Sequence, residues 1–387
     1  MTTTEAAADI AVDMYPFLRR AHRAAATGVA TRDVVIDPAT GVSARLFLAS
    51  SASRSKPLIV YFHGGAFCSG SAFSKLFHRY AESLAARAGA LVVSVDYRLA
   101  REHPVPAAYD DAWAALQWAA SLSDPWLAGH GDPARLFLAG ESAGANIAHN
   151  VAARAGSVDG DGIDIEGLIA LHPFFWGSDR LPFETDRRHD GHALAPERLD
   201  VYWPFLTAGA AGNDDPRFNP AAEQVASLPC RRAFVSVASE DVLRDRGRRY
   251  AAWLDRDDRG REVTFVESEG EGHTFHLFRP ARAAAVELMD RVVEFVNRTS
   301  TTVPSSSMDE MLAALANNGS GKKVCVSPRS MARVNALQLV GPEQASSAAR
   351  FGLMTGHSRL VPASNKLVRK DQFGPAGLGR TVARAYL

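Results

Sequence analysis

The chain has 387 residues, 47% hydrophobic and 22% charged, with 43 Lys+Arg balanced by 43 Asp+Glu. That composition supplies a large apolar core and excludes wholesale disorder. The zero net charge provides no general field for nucleic acid or an anionic membrane surface. Cys68, Cys230 and Cys325 form no CxxC pair and no disulfide framework, so a reducing compartment, the cytoplasm, is expected. Glu5, Asp9 and Asp13 interrupt the start of the chain, which speaks against a secretory signal. No apolar run reaches the length of a membrane span.

Along the chain, apolar runs rich in β-branched and aromatic residues fall at Pro57–Phe62, Ala90–Val95, Arg135–Ala139, Gly167–Leu171, Arg232–Val237 and Val263–Val266. Such runs suit strands buried on both faces. Amphipathic stretches at Phe77–Ala88, Ala108–Ala120, Ala145–Ala155, Arg244–Asp255 and Pro280–Phe295 alternate with them. The alternation predicts an α/β fold with a mostly parallel central sheet and helices on both faces. Residues 177–227, rich in Trp, Phe and Pro, read as a small helical cap to which residues 1–32 also contribute.

Composition shifts near residue 300. Residues 301–387 carry 11 Lys+Arg and 4 Asp+Glu and have only Phe351, Phe373 and Tyr386 as aromatics. A basic, poorly ordered extension is expected there, with one short helix over Met308–Ala316. The folded domain is therefore expected to span residues 1–300.

The chemistry is concentrated at strand ends. Gly140-Glu141-Ser142-Ala143-Gly144 lies between a predicted strand and a predicted helix. A nucleophile on so sharp a turn needs glycine two residues to either side, and the helix N-terminus favours negative charge developing there. His63-Gly64-Gly65-Ala66-Phe67 directly follows the Pro57–Phe62 strand. Paired glycines leave backbone N–H groups open to an oxyanion, so Gly64, Gly65 and Ala143 are the expected donors.

A serine nucleophile needs a base, and the base needs an orienting carboxylate. The acid is expected after the Arg232–Val237 strand, where Asp241 is preferred and Glu240 is the alternative. The base is expected after the Val263–Val266 strand, where His273 is preferred and His276 is the fallback. Phe67, Trp176 and Phe275, with Trp203 and Phe205, are candidates for an acyl pocket, with core packing as the competing reading. Asp96-Tyr97-Arg98, His149 and His172 read as structural, and Asp110-Asp111 as helix capping. No spacing suggests a metal site.

Taken together, HGGAF, DYRLAREHPVPAAYDDAW, GESAGANIAHN, LHPFFWG, GNDDPRFNP, EDVLRDRG and EGHTFHLF resemble the plant carboxylesterase family, in the hormone-sensitive-lipase-like branch of the α/β-hydrolases. The resemblance runs from about residue 10 to 298. It implies an α/β-hydrolase fold and a serine esterase without cofactor, acting on a small-molecule ester. It also implies Ser142, Asp241 and His273 as the triad and His63, Gly64 and Gly65 as the oxyanion segment. Related gibberellin receptors lack the histidine, whereas His273 is present here. Related hydroxyisoflavanone dehydratases tend to carry Thr at the nucleophile position, whereas Ser142 is present here. Tuliposide-converting members use the full triad for intramolecular ester transfer. Two departures stand out: a short stretch between Phe17 and Asp33, and a tail with no counterpart in the family. Neither the motifs nor the resemblance indicates nucleic-acid binding or an oligomeric state.

Overall fold

A computed structural model of the chain describes residues 28–50, 55–100, 102–157, 162–186, 194–256 and 260–298. The N-terminal cap contribution up to residue 27, the helix expected over Met308–Ala316 and the whole basic extension lie outside the described residues.

Eight described strands form one sheet: β1 (Val29–Asp37), β2 (Val42–Ala49), β3 (Lys56–Phe62), β4 (Leu91–Asp96), β5 (Gly131–Glu141), β6 (Gly167–Leu171), β7 (Arg232–Ala238) and β8 (Glu262–Ser268). Their order is β1-β2-β4-β3-β5-β6-β7-β8. The β1–β2 and β2–β4 pairs are antiparallel, and every later pair is parallel. Each of the six predicted runs is a strand. The β1–β2 hairpin was not predicted, and residues 29–32, expected in the cap, open β1 instead. Its strands mix Arg32, Asp33 and Arg45 with apolar residues, so they lack the continuous apolar run of a buried strand.

Helices α1 (Lys75–Ala88), α2 (Pro106–Ala120), α3 (Pro125–His130), α4 (Ala143–Ala155), α5 (Pro196–Leu206), α6 (Ala222–Ala226), α7 (Arg244–Leu254), α8 (Phe275–Phe278) and α9 (Ala283–Asn297) complete the described elements with a 3-10 turn at Pro182–Thr185. The period-two geometry of the strands divides the core in two. Leu58, Val60 and Phe62 of β3 face a cluster with α2, α4, α7 and the cap aromatics. Ile59 and Tyr61 face a second cluster with α1 and α9. The cap is held by Trp203 stacked on Phe218, centroids 4.4 Å apart, and by the buried Arg246–Glu184 ion pair at 2.5 Å. No helix among the described residues is long and apolar enough to cross a membrane.

Asp111 departs from its expected capping role. It lies inside α2, 2% exposed, and accepts a forked pair of bonds from Arg98. That pair, with Asp96 accepting the Ala72 N–H, ties the end of β4 to α2 and to the loop before α1.

The turn between β5 and α4 is the tightest point of the fold. A Cβ on Gly144 would lie 1.9 Å from the Phe62 carbonyl oxygen, and one on Gly140 would lie 2.3 Å from the Gly144 carbonyl carbon. Gly144→Ala therefore has to push β3 and α4 apart. A loss of about 2 kcal/mol or more is expected, measured as a lowered urea midpoint; an unchanged midpoint contradicts this close approach.

Candidate active site

The C-terminal ends of the parallel strands carry the site, as the fold class requires. Ser142 follows β5 with φ 54° and ψ −120°, a conformation that L-residues avoid. The turn is held by its backbone: Ser142 N–H donates to Leu171 O, and Ser142 O accepts from Phe174 N–H. Asp241 follows β7, and its Oδ1 accepts the Leu243 N–H at 3.0 Å. His273 sits in the loop between β8 and α8.

These three side chains meet although they are far apart in sequence. His273 Nε2 lies 2.9 Å from Ser142 Oγ, and His273 Nδ1 lies 2.6 Å from Asp241 Oδ2. An ionised carboxylate only accepts, so Nδ1 carries the proton and Nε2 offers its lone pair to the Ser142 hydroxyl. Burial alone would raise the Asp241 carboxyl. The charge and hydrogen bond of His273, aided by His172 and the Leu243 N–H, outweigh burial and hold it below the ordinary value. The alternatives are elsewhere. Glu240 is exposed, beside Ser239, and buried His276 packs edge-on against Tyr80 and His172. Burial, with His273 nearby, pushes His276 down to about 3.

The loop after β3 departs from expectation in one donor. Gly64 N–H is not open to an oxyanion, because it donates to Glu141 Oε1. The N–H groups of Gly65, Ala66 and Ala143 have no acceptor among the described residues. Gly65 and Ala66 have φ of 112° and 51°, which turns the loop across the nucleophile. The His63 side chain has a scaffold role: it stacks on Tyr97 at 4.4 Å, and its Nδ1–H donates to Gly64 O. Tyr97 Oη–H in turn donates to His63 O.

The expected pocket residues are packed, not exposed. Phe67 lies among Tyr109, Phe174 and Trp203. Trp176 donates its indole N–H to Asp200 and stacks against Arg246. Phe275 packs on His172. All three are 5% exposed or less, which fits the competing reading of core packing. Phe205 points to solvent and Trp203 is fully buried. Half-exposed Tyr202, edge-on to Phe174, is the aromatic that sequence reading missed.

One further residue, Glu141, was not singled out in the sequence. Glu141, the variable position of the serine motif, is fully buried and accepts from Tyr61 Oη–H at 2.6 Å as well as from Gly64. His172, read as structural, directly follows β6 with φ 45° and accepts the Thr274 N–H on Nδ1 at 2.9 Å. His172, Asp241 and His273 offer ligand atoms within 4.8 Å of one another. They do not suit a metal. His172 Nδ1 is already an acceptor, which puts its proton on Nε2, and His273 is engaged at both nitrogens.

Comparison with known proteins identifies the scaffold. Residues 59–277 match a family model described as alpha/beta hydrolase fold. The chain belongs to that family. Within it, the relatives place the chain in the branch of plant carboxylesterases. It is 41% identical to tuliposide A-converting enzyme b3, amyloplastic, of Tulipa gesneriana, over 74% of this chain and 80% of that one. It is 40% identical to 2-hydroxyisoflavanone dehydratase of Glycyrrhiza echinata, over 70% and 86% of the two chains. Probable carboxylesterase 2 of Arabidopsis thaliana is 36% identical over the same shares. Among solved structures, esterase LipW of Mycobacterium marinum aligns with TM-score 0.59 at 28% identity, over 70% of this chain and 82% of that one.

Burial pushes the Glu141 carboxyl up to about 8, against the lowering effect of its hydrogen bonds from Tyr61 and Gly64. A folded pKa above the unfolded value binds a proton that unfolding releases. The stability it contributes is complete below the ordinary glutamate value and is lost as pH rises through about 8. Glu141→Gln has no such titration. Its thermal stability relative to the native chain is therefore expected to rise from pH 5 to pH 9, and a pH-independent difference in Tm contradicts the buried neutral carboxyl.

Proposed function

We propose that the chain is a serine carboxylesterase that hydrolyses small carboxylic esters through an acyl-enzyme. The observation that carries this reading is the continuous hydrogen-bond path Ser142 Oγ–His273–Asp241, at 2.9 and 2.6 Å. His273 Nε2 removes the Ser142 proton as Oγ attacks the ester carbonyl. Buried Asp241 stabilises the imidazolium that forms. The N–H groups of Gly65, Ala66 and Ala143 receive the developing oxyanion, with the N-terminus of α4 adding its dipole. His273 then protonates the departing alcohol, and the C–O bond breaks. Water repeats the sequence on the acyl-enzyme, releasing the acid and restoring the Ser142 hydroxyl.

The substrate on this reading is an uncharged ester of modest acyl length. Support comes from partly exposed Tyr202, which packs edge-on against Phe174, itself packed on Phe67 of the loop after β3. The proposed compartment is reducing, the cytoplasm on the sequence reading, although the tulip relatives are named for plastids. A second reading, intramolecular acyl transfer or elimination, is favoured by the resemblance to the tuliposide-converting enzymes and the dehydratase. It uses the same base and differs in what takes up the acyl group or proton. A non-catalytic receptor is disfavoured because His273 is in place to serve Ser142.

A fluorophosphonate probe is expected to label the native chain at Ser142. Ser142→Ala is expected to abolish labelling and lower turnover of p-nitrophenyl butyrate by about 10³-fold or more. Activity of the alanine variant close to native would remove Ser142 from the mechanism. Chromatography of the products from an ester of a hydroxy acid separates the two catalytic readings, since hydrolysis yields the free acid, transfer to the internal hydroxyl yields a cyclised ester and elimination yields a dehydrated product.

A further inference from the structure

We infer that Glu141 is a positioning residue for the oxyanion loop, acting as the rung that joins this loop to the nucleophile after the backbone ladder has ended. The inference rests on the esterase reading above and extends it to a residue outside the triad. The β3–β5 ladder closes at the pair Phe62↔Gly140. Beyond it the two chains part: β3 runs into the loop at His63, and β5 turns through Ser142 into α4. Gly64 N–H donates to the Glu141 side chain, not to a backbone carbonyl of the neighbouring strand.

The covalent spacing makes this bond consequential. Glu141 is bonded to Ser142, and Gly64 is bonded to Gly65, so one carboxyl group joins the nucleophile to the first oxyanion donor through a single residue on each side. The loop packs on the same spot, since a Cβ on Gly64 would lie 3.2 Å from Glu141 Oε1 and 3.3 Å from Ser142 Cβ. The second oxygen of the carboxyl is fixed by Tyr61 Oη–H from β3. Both donors thus come from the oxyanion side and the acceptor from the nucleophile side. A carboxyl so completely buried is costly unless both of its oxygens are satisfied. An apolar side chain would fill the volume but could not receive the Gly64 N–H. The Gly64 N–H would then turn elsewhere for a partner and carry Gly65 and Ala66 with it. Oxyanion donors act through placement, and small displacements lower the rate steeply.

The test compares Glu141→Met with Glu141→Gln. The two are neutral and similar in size, and only Gln keeps an acceptor for Gly64 and a donor for the Tyr61 hydroxyl oxygen. With p-nitrophenyl butyrate, Glu141→Met is expected to lower kcat by about 10- to 100-fold with KM little changed. Its inhibition constant for a trifluoromethyl ketone, whose hemiketal oxygen occupies the oxyanion position, should weaken by a similar factor. Glu141→Gln should recover most of both losses. Equal kcat and equal inhibition constants for the two variants overturn the inference, as does a loss carried by KM alone. Amide exchange at Gly64 in the native chain gives a check that needs no variant to fold. Strong protection supports the bond, and exchange at the rate of an open loop overturns it. Failure of the native chain to label or turn over overturns the esterase reading itself. Native labelling with an unimpaired Glu141→Met overturns only the role of Glu141.

Discussion

The contact on which the site depends is between the Phe62 carbonyl and the Cα of Gly144, where no side-chain carbon fits. That approach brings the end of β3 against the first turn of α4, and with it the loop from His63 to Phe67 against Ser142. Ser142 must then take its positive φ, because β5 reverses into α4 within one residue. The strain is offset by the surrounding backbone bonds to Leu171 and Phe174, which draw on β6 and the segment after it. Other residues at positive φ, among them Gly65, Ala66, Phe67, His172 and Thr274, gather in the same region. Local conformational cost is concentrated at the candidate site, and the two packed cores hold it in place.

The electrostatics follow from the same packing. Burial keeps His172 and His276 neutral, well below the ordinary histidine value in the first case and at about 3 in the second. A neutral His172 accepts from the Thr274 N–H and so steadies the residue after His273. It does not compete as a cation for Asp241. Asp241 is held below the ordinary carboxyl value beside His273, which on the proposed reading would stabilise an imidazolium. Glu141, a few residues away in the fold, is pushed in the opposite direction by burial. The surroundings of the two carboxyl groups thus push them in opposite directions.

Much of the fold was legible because fully buried strands announce themselves. PLIVYF, ALVVSV and RAFVSV contain few polar residues, since a central parallel strand has no solvent face. The β1–β2 hairpin was missed because it is an edge: Val35 is exposed, and Arg45 reaches across to Asp33. Its turn, Asp37-Pro38-Ala39-Thr40-Gly41, held the usable signal, with the Asp37 side chain accepting from Ala39 and Thr40. Asp111 was misread because its neighbour sequence matched a helix start while its partner, Arg98, lies on another element.

The sequence by itself determined the GxSxG turn between strand and helix, the strand ends after which the candidate acid and base fall, and the alternation that makes a parallel sheet. These are local in the chain: a GxSxG turn needs its glycines within two residues, and a buried strand needs its apolar run. Only the tertiary structure decided which N–H groups of the HGGAF segment are open, because the partner of Gly64 is a side chain 77 residues away. It also decided that Phe67, Trp176 and Phe275 are buried, since whether an aromatic lines a pocket or packs in the core depends on the neighbours folded against it. Hydrogen-bond satisfaction and packing are sums over residues distant in the chain, and no reading of local pattern contains them.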